Sequence, residues 1–206
     1  MTDRTASAHS LFLILVFSLS MWLSGSANAQ SKGDVFFGYS FTSSGLRVSV
    51  PGGSHSEVTA GRASLNGWDA SASLKILPFI RGVVDVGAGY GNLPVDFSAF
   101  GFPTQRISIR TNLHTYLLGP RAAISARKMT LFGHALFGVA HQNLGTNPTL
   151  NVGTRDSAFA FALGGGLDTP LVSRLAFRVG GDYLRTTLFH ATQHNPRFIT
   201  GLVVKF

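Results

Sequence analysis

The chain has no cysteine among its 206 residues, which excludes disulfide bonds and thiolate metal ligands. It is also poor in charge, because Asp, Glu, Lys and Arg make up 13% of the residues, whereas soluble domains carry roughly 25%. Glutamate occurs only at Glu57, although water-exposed surfaces are normally rich in charged side chains. These shortages favour a protein whose outer face does not lie in water.

Long hydrophobic runs are missing as well. After residue 29 no apolar stretch reaches the length of about 18 residues that indicates a membrane-spanning helix. The apolar stretch at 11–23 is too short to cross a bilayer, which takes about 20 residues. It follows Arg4 and precedes Ala27-Asn28-Ala29, the small-residue pattern of a secretory cleavage site. The sequence therefore predicts a signal peptide over 1–29 and one domain over 30–206.

Alternation of apolar and polar residues is abundant in the rest of the chain. This period of two is typical of β-strands. Short connections alternate with longer polar ones, as in outer-membrane barrels, which have short periplasmic turns and long extracellular loops. We predict eight strands, at 34–42, 67–77, 80–91, 106–124, 129–141, 157–171, 174–188 and 196–206.

The residue types on the two faces of each strand predict how the strands close. In 157–171, Phe159, Phe161 and Leu163 share one face, while small residues and Asp168 share the other. A soluble sandwich or lipocalin-like barrel would bury the phenylalanines and expose the small residues to water, which the scarcity of charge disfavours. We therefore expect an all-β fold: an eight-stranded antiparallel transmembrane β-barrel, in up-and-down meander order. Bulky apolar side chains would face lipid, and small or charged ones the lumen.

Charged residues predicted to face the lumen form the first candidate site. Desolvated charges persist when they are paired, and here acidic and basic side chains nearly balance. The turn at 170–173 is expected to set Arg178 opposite Gly166, which leaves room for its guanidinium beside Asp168 or Asp182. We interpret the set as an ion-paired plug, with a narrow ion path as the alternative. Its predicted members are Asp34, Asp69, Asp85, Asp168, Asp182, Lys75, Arg110, Arg178, Arg197 and Lys205.

The histidines predict neither a metal site nor a catalytic triad. His114 and His134 are both expected to face the lumen, but about 13 Å apart, which is too far to share one ion. The segment before the last strand holds His190 and His194 but no serine, so the adjoining His and Ser of barrel lipid A deacylases are not visible. The glycine run at 164–166 lacks the Lys-Ser/Thr of a phosphate loop. We expect no cofactor, no metal and no catalysis.

Several short motifs resemble those of the OmpA-like small outer-membrane β-barrel proteins, over essentially the whole chain after residue 29. They are Gly38-Tyr39-Ser40, Gly67-Trp68, Gly164-Gly165-Gly166-Leu167-Asp168, Gly181-Asp182-Tyr183 and the terminal Phe206. The resemblance implies the fold rather than an activity. It also implies that Phe206 is read by the barrel-assembly machinery.

Specific function is expected to lie in the loops and the outer surface. The net charge of +8 is spread along the chain, so we expect no nucleic-acid partner. We predict a monomeric, non-enzymatic integral protein of the bacterial outer membrane with a structural or surface-interaction role. The alternatives are a narrow small-solute channel and a lipid-modifying enzyme. Arginine suits lipopolysaccharide phosphates, and the predicted contacts are Arg47, Arg62, Arg106, Arg155 and Arg185.

Overall fold

The protein is built from β-strands throughout the part of the chain that the structure describes. That structure is a computed structural model, and it describes residues 32–45, 56–60, 62–99, 105–126, 129–147, 152–188 and 191–206. Within these ranges no helix is long and apolar enough to cross a bilayer. The strands are β1 (Gly33–Gly45), β2 (Ser56–Ala60), β3 (Arg62–Lys75), β4 (Ile80–Ala99), β5 (Gln105–Ala126), β6 (Met129–Asn147), β7 (Val152–Val172), β8 (Leu175–Leu188) and β9 (Ala191–Lys205).

The strands close into an eight-stranded barrel. From β3 to β9, strands that follow one another pair antiparallel, and β9 returns to pair with β1. Because β2 and β3 both pair with β4, they form one barrel strand in two segments, and β3 also pairs with β1. The predicted fold class, an all-β antiparallel barrel in up-and-down order, is confirmed. Residues 1–31 lie outside the described part, so the signal peptide stays a prediction.

The strand register fixes the stagger of the barrel. The stagger is found by moving once around the barrel from each residue to its partner on the next strand. Starting at Thr42, the successive partners are Arg197, Asp182, Gly164, His134, Arg121, Arg81 and Lys75. The Lys75 amide then donates to the carbonyl oxygen of Lys32 at 2.8 Å. One circuit therefore moves ten residues along the chain, from Thr42 to Lys32. Such a stagger tilts the strands by about 40° from the barrel axis and leaves a lumen that side chains can fill.

The outer wall is an apolar belt. In β8, buried and exposed residues alternate without interruption from Ala176 to Leu188. All four tyrosines of the chain lie on the outer wall with Trp68, and these five side chains are 38% to 54% exposed. So large an exposed apolar surface is unfavourable in water but suits lipid, where Tyr and Trp favour the membrane interface. The barrel is therefore a transmembrane one.

The lumen contains leucines as well as charges. A buried cluster of leucines and alanines extends from the middle of the lumen toward the mouth where β8 ends at Leu188. The expectation that only small or charged side chains face the lumen is wrong for this half. A narrow barrel must be filled, and leucine fills space without leaving hydrogen-bonding groups unpaired. The leucines are Leu65, Leu93, Leu113, Leu117, Leu136, Leu144, Leu184 and Leu188.

The two faces of β5 are opposite to those predicted. Leu113 and Leu117 are buried in the lumen, whereas Arg110 is exposed on the outer wall. His114 also faces out, in edge contact with Tyr90, which is itself 45% exposed. Because side chains of a strand alternate strictly, one reversed residue reverses them all. Both faces of β5 carry apolar residues, so alternation alone did not indicate which face is inside.

Short turns connect β3 to β4, β5 to β6 and β7 to β8, and they define one mouth of the barrel. At the opposite mouth the strands run further than predicted. The strand β4 continues to Ala99, where it pairs with β2. Leu188 and Ala191 are paired, so only residues 189 and 190 separate β8 from β9, and the long connection predicted there is wrong. Backbone pairing between antiparallel neighbours continues where side-chain alternation is weak, because the hydrogen bonds do not depend on residue type.

Gly164 offers a test of how tightly the lumen is filled. A Cβ at this position would lie 2.1 Å from Asp182 Oδ1 and 2.4 Å from the carbonyl oxygen of Gly181. We expect Gly164→Ala to lower the free energy of unfolding by about 1–3 kcal/mol, because backbone and a paired carboxylate must shift. Urea titration of the protein folded in lipid vesicles measures the change.

Gly133→Ala is the matched control for this substitution. The nearest atom to a Cβ at Gly133 is the carbonyl oxygen of Gly164, at 3.7 Å, which is an ordinary contact. We expect little change in stability there. Equal losses in the two variants would contradict the idea that the lumen near Asp182 is filled.

Candidate functional site

Arg197 lies at the centre of a buried ionic cluster in the middle of the lumen. Its side chain is 3% exposed and reaches three carboxylates. Nη1 donates to Asp69 Oδ2 at 2.8 Å, and both Nη atoms lie 3.3 Å from Asp85 Oδ1. Nε donates to Asp182 Oδ2 at 2.8 Å. One guanidinium on β9 therefore links β3, β4 and β8. The central cluster is Arg197, Asp69, Asp85, Asp182 and His134.

His134 joins the central cluster through Asp182. Its Nε2 lies 2.7 Å from Asp182 Oδ1. Gly164 is the register partner of both residues, and its missing side chain leaves the space for their contact. Gly87 has the same effect beside Arg197, because a Cβ there would lie 3.3 Å from Nη1. The glycines of the wall thus make room for the charges of the lumen.

A second group of charges lies toward the mouth formed by the short turns. Arg178 pairs with both oxygens of Asp168, at 2.7 and 2.9 Å. Asp34 accepts a hydrogen bond from Arg81 Nη1 at 2.8 Å, and Arg121 Nη1 reaches Asp34 only at 3.4 Å. These five residues, named here the mouth cluster, are Asp34, Arg81, Arg121, Asp168 and Arg178.

Two aromatic rings support the mouth cluster from inside. The guanidinium carbons of Arg121 and Arg178 lie 4.7 and 4.6 Å from the centroid of Phe132. Arg178 also lies 5.1 Å from the centroid of Phe36. The faces of aromatic rings attract cations, most strongly where water is excluded. Both rings are buried, at 4% and 0% exposure, so bulky apolar residues do not all face lipid.

The other predicted lumen residues differ in their placement. Lys75 and Lys205 are half-buried and line a cavity at the short-turn mouth. Arg178 lies opposite Asp168 rather than Gly166, because β7 continues to Val172 and the turn comprises residues 173–174 instead of 170–173. A one-residue register shift between Pro170 and Val172 then sets the final pairing. Arg110 is the one predicted member that the structure places outside the lumen, on the exposed face of β5.

Sequence reasoning missed two cations of the mouth cluster. Arg121 follows Leu113 and Leu117 by even numbers of residues, so all three lie on the same face of β5. A correct orientation of β5 would therefore have placed Arg121 in the lumen. Arg81 precedes Val83 and Asp85 on the inward face of β4 in the same way. His114 and His134 lie on opposite faces of the wall and share no site. Among the described residues, no three His, Asp or Glu side chains are grouped so as to hold a metal ion.

Several arginines face outward near the mouth opposite the short turns. Arg62, Arg155 and Arg185 were predicted to contact lipopolysaccharide, and all three are exposed. Arg62 Nε donates to Ser43 Oγ at 3.1 Å, which holds its side chain against β1. Arg47 and the side chain of Arg106 lie outside the described part. The exposed set, named here the outer arginines, is Arg62, Arg110, Arg155 and Arg185.

One polar pair on the outer wall was not predicted. His141 Nδ1 and Ser157 Oγ lie 2.7 Å apart. The two residues are direct register partners on β6 and β7, so strand pairing by itself brings them together. Nucleophilic serine chemistry also needs a group that orients the histidine and donors for a developing oxyanion. The distance alone does not make this pair a catalytic site.

Comparison with known proteins shows the fold. No model of a known protein family matches the sequence, and no curated protein matches it. The chain is similar to the solved structure of Neisserial surface protein A, with a TM-score of 0.61, 11% identity, and coverage of 87% of this chain and 100% of that chain. It is also similar to Ail, the attachment invasion locus protein of Yersinia pestis, with a TM-score of 0.51, 12% identity, and coverage of 86% and 100%.

A third similar structure is the outer membrane protein OprG from Pseudomonas aeruginosa. Its TM-score is 0.51 at 12% identity, with coverage of 85% of this chain and 96% of that chain. All three are small outer-membrane barrels, and at this identity the likeness concerns the fold. Together with the apolar belt of the wall, it supports an outer-membrane location.

Replacement of Arg197 by methionine tests the central cluster. The change leaves three buried carboxylates without their shared cation, and removing one partner of a buried ion pair costs about 3–5 kcal/mol. We expect the free energy of unfolding in vesicles to fall by about that amount. Arg185→Met removes the same charge from the outer wall and should change it by less than about 1 kcal/mol. Similar losses in both variants would contradict a central role of Arg197.

Proposed function

We propose that this chain is an integral protein of the bacterial outer membrane that acts through its exterior and its extracellular loops and catalyses no reaction. The observation that carries the proposal is the filled lumen, in which ion pairs and leucines succeed each other along the barrel axis. A barrel without an open path meets other molecules only at its surfaces. Membership of the OmpA-like family is part of the proposal, and it rests on the motifs at Gly38, Gly67 and Gly181.

The layers of the lumen support a closed barrel rather than a channel. The mouth cluster, the central cluster and the leucines follow one another from the short-turn mouth. Between Arg197, Leu113 and Leu184 the described lumen leaves a gap of about 10 Å³, which is at the lower limit of what one water needs. Conduction needs a continuous path in which ions bind weakly, and fixed ion pairs packed against leucine oppose it.

The outer arginines support lipopolysaccharide as a lipid partner. They lie on β3, β5, β7 and β8, toward the mouth that faces the cell exterior if the short turns are periplasmic. A guanidinium presents paired donors that match phosphate oxygens. Arg110 extends the set predicted from sequence, and Arg47 and Arg106 belong to it as proposals.

The terminal residue supports recognition by the barrel-assembly machinery. Phe206 N donates to the Gly33 carbonyl and Gly33 N to the Phe206 carbonyl, each at 3.1 Å. These bonds lie at the seam between β1 and β9, the two ends of the meander. The Phe206 ring is 43% exposed, so a partner can reach it from outside the wall. Because the seam closes within one chain, the barrel needs no second copy, which supports a monomer.

Planar bilayer recordings test the closed lumen. We expect the folded protein to give no regular conductance steps, because ion pairs and leucines occupy the middle of the described lumen. A compact band on an unheated gel, shifted by boiling, confirms that the sample is folded. Regular conductance steps from such a sample would instead support the small-solute channel.

Lipid A binding tests the role of the outer arginines. We expect lipid A to raise the unfolding temperature of the protein in detergent, and dephosphorylated lipid A to have little effect. The combined variant Arg62→Gln, Arg110→Gln and Arg155→Gln should bind at least tenfold more weakly, because each lost charge-assisted contact contributes about 1.5–3 kcal/mol. Arg174→Gln removes an exposed cation at the opposite mouth and is the control. An unchanged response in the triple variant would remove lipopolysaccharide as the partner.

A further inference from the structure

The short-turn mouth of the barrel contains an open cavity of about 170 Å³, beneath the mouth cluster. This is many times the space that one water needs, and it is enough for a group of phosphate size with its waters. The charges of its lining are unequal. The acidic side chains are Asp34 and Asp168, and the basic ones are Lys75, Arg81, Arg121, Arg178 and Lys205.

Arg121 is incompletely satisfied in this cavity. Its side chain is 4% exposed, yet its contact with Asp34 is 3.4 Å long, whereas charge-assisted hydrogen bonds measure about 2.7–2.9 Å. Its Nε has no hydrogen-bond partner in the described part of the protein, and neither has Arg178 Nη1. A buried cation without full pairing is unfavourable, so the cavity is suited to an anion.

The two carboxylates of the lining are already engaged. Asp168 holds Arg178 through both of its oxygens. Asp34 accepts close hydrogen bonds from Arg81 at 2.8 Å and from Ser73 Oγ at 2.6 Å, and Arg178 Nη2 reaches it only at 3.5 Å. Both close hydrogen bonds to Asp34 end on Oδ2, whereas its Oδ1 has only the long contacts with Arg121 at 3.4 Å and with Arg178 at 3.5 Å. Two guanidinium groups therefore share this one oxygen, and negative charge is insufficient beside Arg121.

We propose that this cavity is a binding site for an oxyanion of the phosphate class, with Arg121 as its principal contact. The guanidinium fork matches the spacing of phosphate oxygens, and the half-buried Lys75 and Lys205 add positive charge at the rim. Since the cavity opens at the short-turn mouth, the phosphate is either a free ion or the headgroup of a phospholipid in the adjacent leaflet. The site is separate from the outer arginines, so its failure would not bear on the lipopolysaccharide proposal.

Nuclear magnetic resonance of the full chain in maltoside micelles, a detergent free of phosphorus, tests the site. Inorganic phosphate replaces chloride at constant ionic strength while two kinds of signal are followed: the Arg121 Nε–Hε signal, and the backbone amide signal of Ala123, which also lines the cavity and is retained in every variant. We expect a saturable shift in the wild type, at least tenfold weaker binding in Arg121→Gln, and unchanged binding in Arg185→Gln. If Arg121→Gln does not fold, Arg81→Gln removes a lining charge that is 19% exposed, and weaker binding is expected there too.

Nanodiscs distinguish the two sources of phosphate. Saturation by inorganic phosphate in micelles supports the proposal, and it identifies a free ion when Arg121 has no phosphorus contact to the headgroup in phosphatidylglycerol discs. If free phosphate does not saturate the signal, proton–phosphorus transfer between Arg121 and the headgroup in phosphatidylglycerol discs supports the proposal and identifies the lipid. A shift that stays linear in phosphate, with no phosphorus contact to Arg121 in those discs, overturns it.

Discussion

A lumen only wide enough for side chains is the constraint on which the rest of this structure depends. Charged groups in the middle of such a lumen need partners of opposite charge on other strands, because desolvating a charge without pairing it is costly. Arg197 meets this demand by contacting three carboxylates on three other strands. The ten-residue stagger brings these strands into reach, and the glycines at Gly87 and Gly164 leave space for the charged side chains. Closure, stagger and charge pairing therefore depend on one another.

The lumen is asymmetric along its axis, and this decides which surfaces can act. Leucines fill the half toward the long connections, where they exclude water and ions. Charged side chains occupy the half toward the short turns. The lumen contains the open cavity beside Arg121 at that mouth. A molecule at the mouth opposite the short turns meets the outer arginines. A molecule at the other mouth meets an excess of positive charge.

Much of the fold was predictable, because strand periodicity is a local property. The alternation in β7 and β9 placed Phe159, Leu202 and Phe206 outward and Asp168 and Arg197 inward, as the structure has them. The strand β5 was reversed, since its two faces are similarly apolar and the local pattern does not state which one meets lipid. The predicted partner of Arg178 was also wrong, because β7 continues to Val172 and alternation does not indicate at which residue a strand ends.

The sequence by itself determined that the chain forms antiparallel strands, that they close, and that the aspartates Asp69, Asp85 and Asp182 face inward. These properties follow from residue composition and a period of two, which each segment carries alone. Only the tertiary structure decided which cation meets which carboxylate, that leucines share the lumen with charges, and that Arg121 lies beside an open cavity. The reason is that partners across a lumen are set by stagger, and stagger is a property of the closed barrel as a whole.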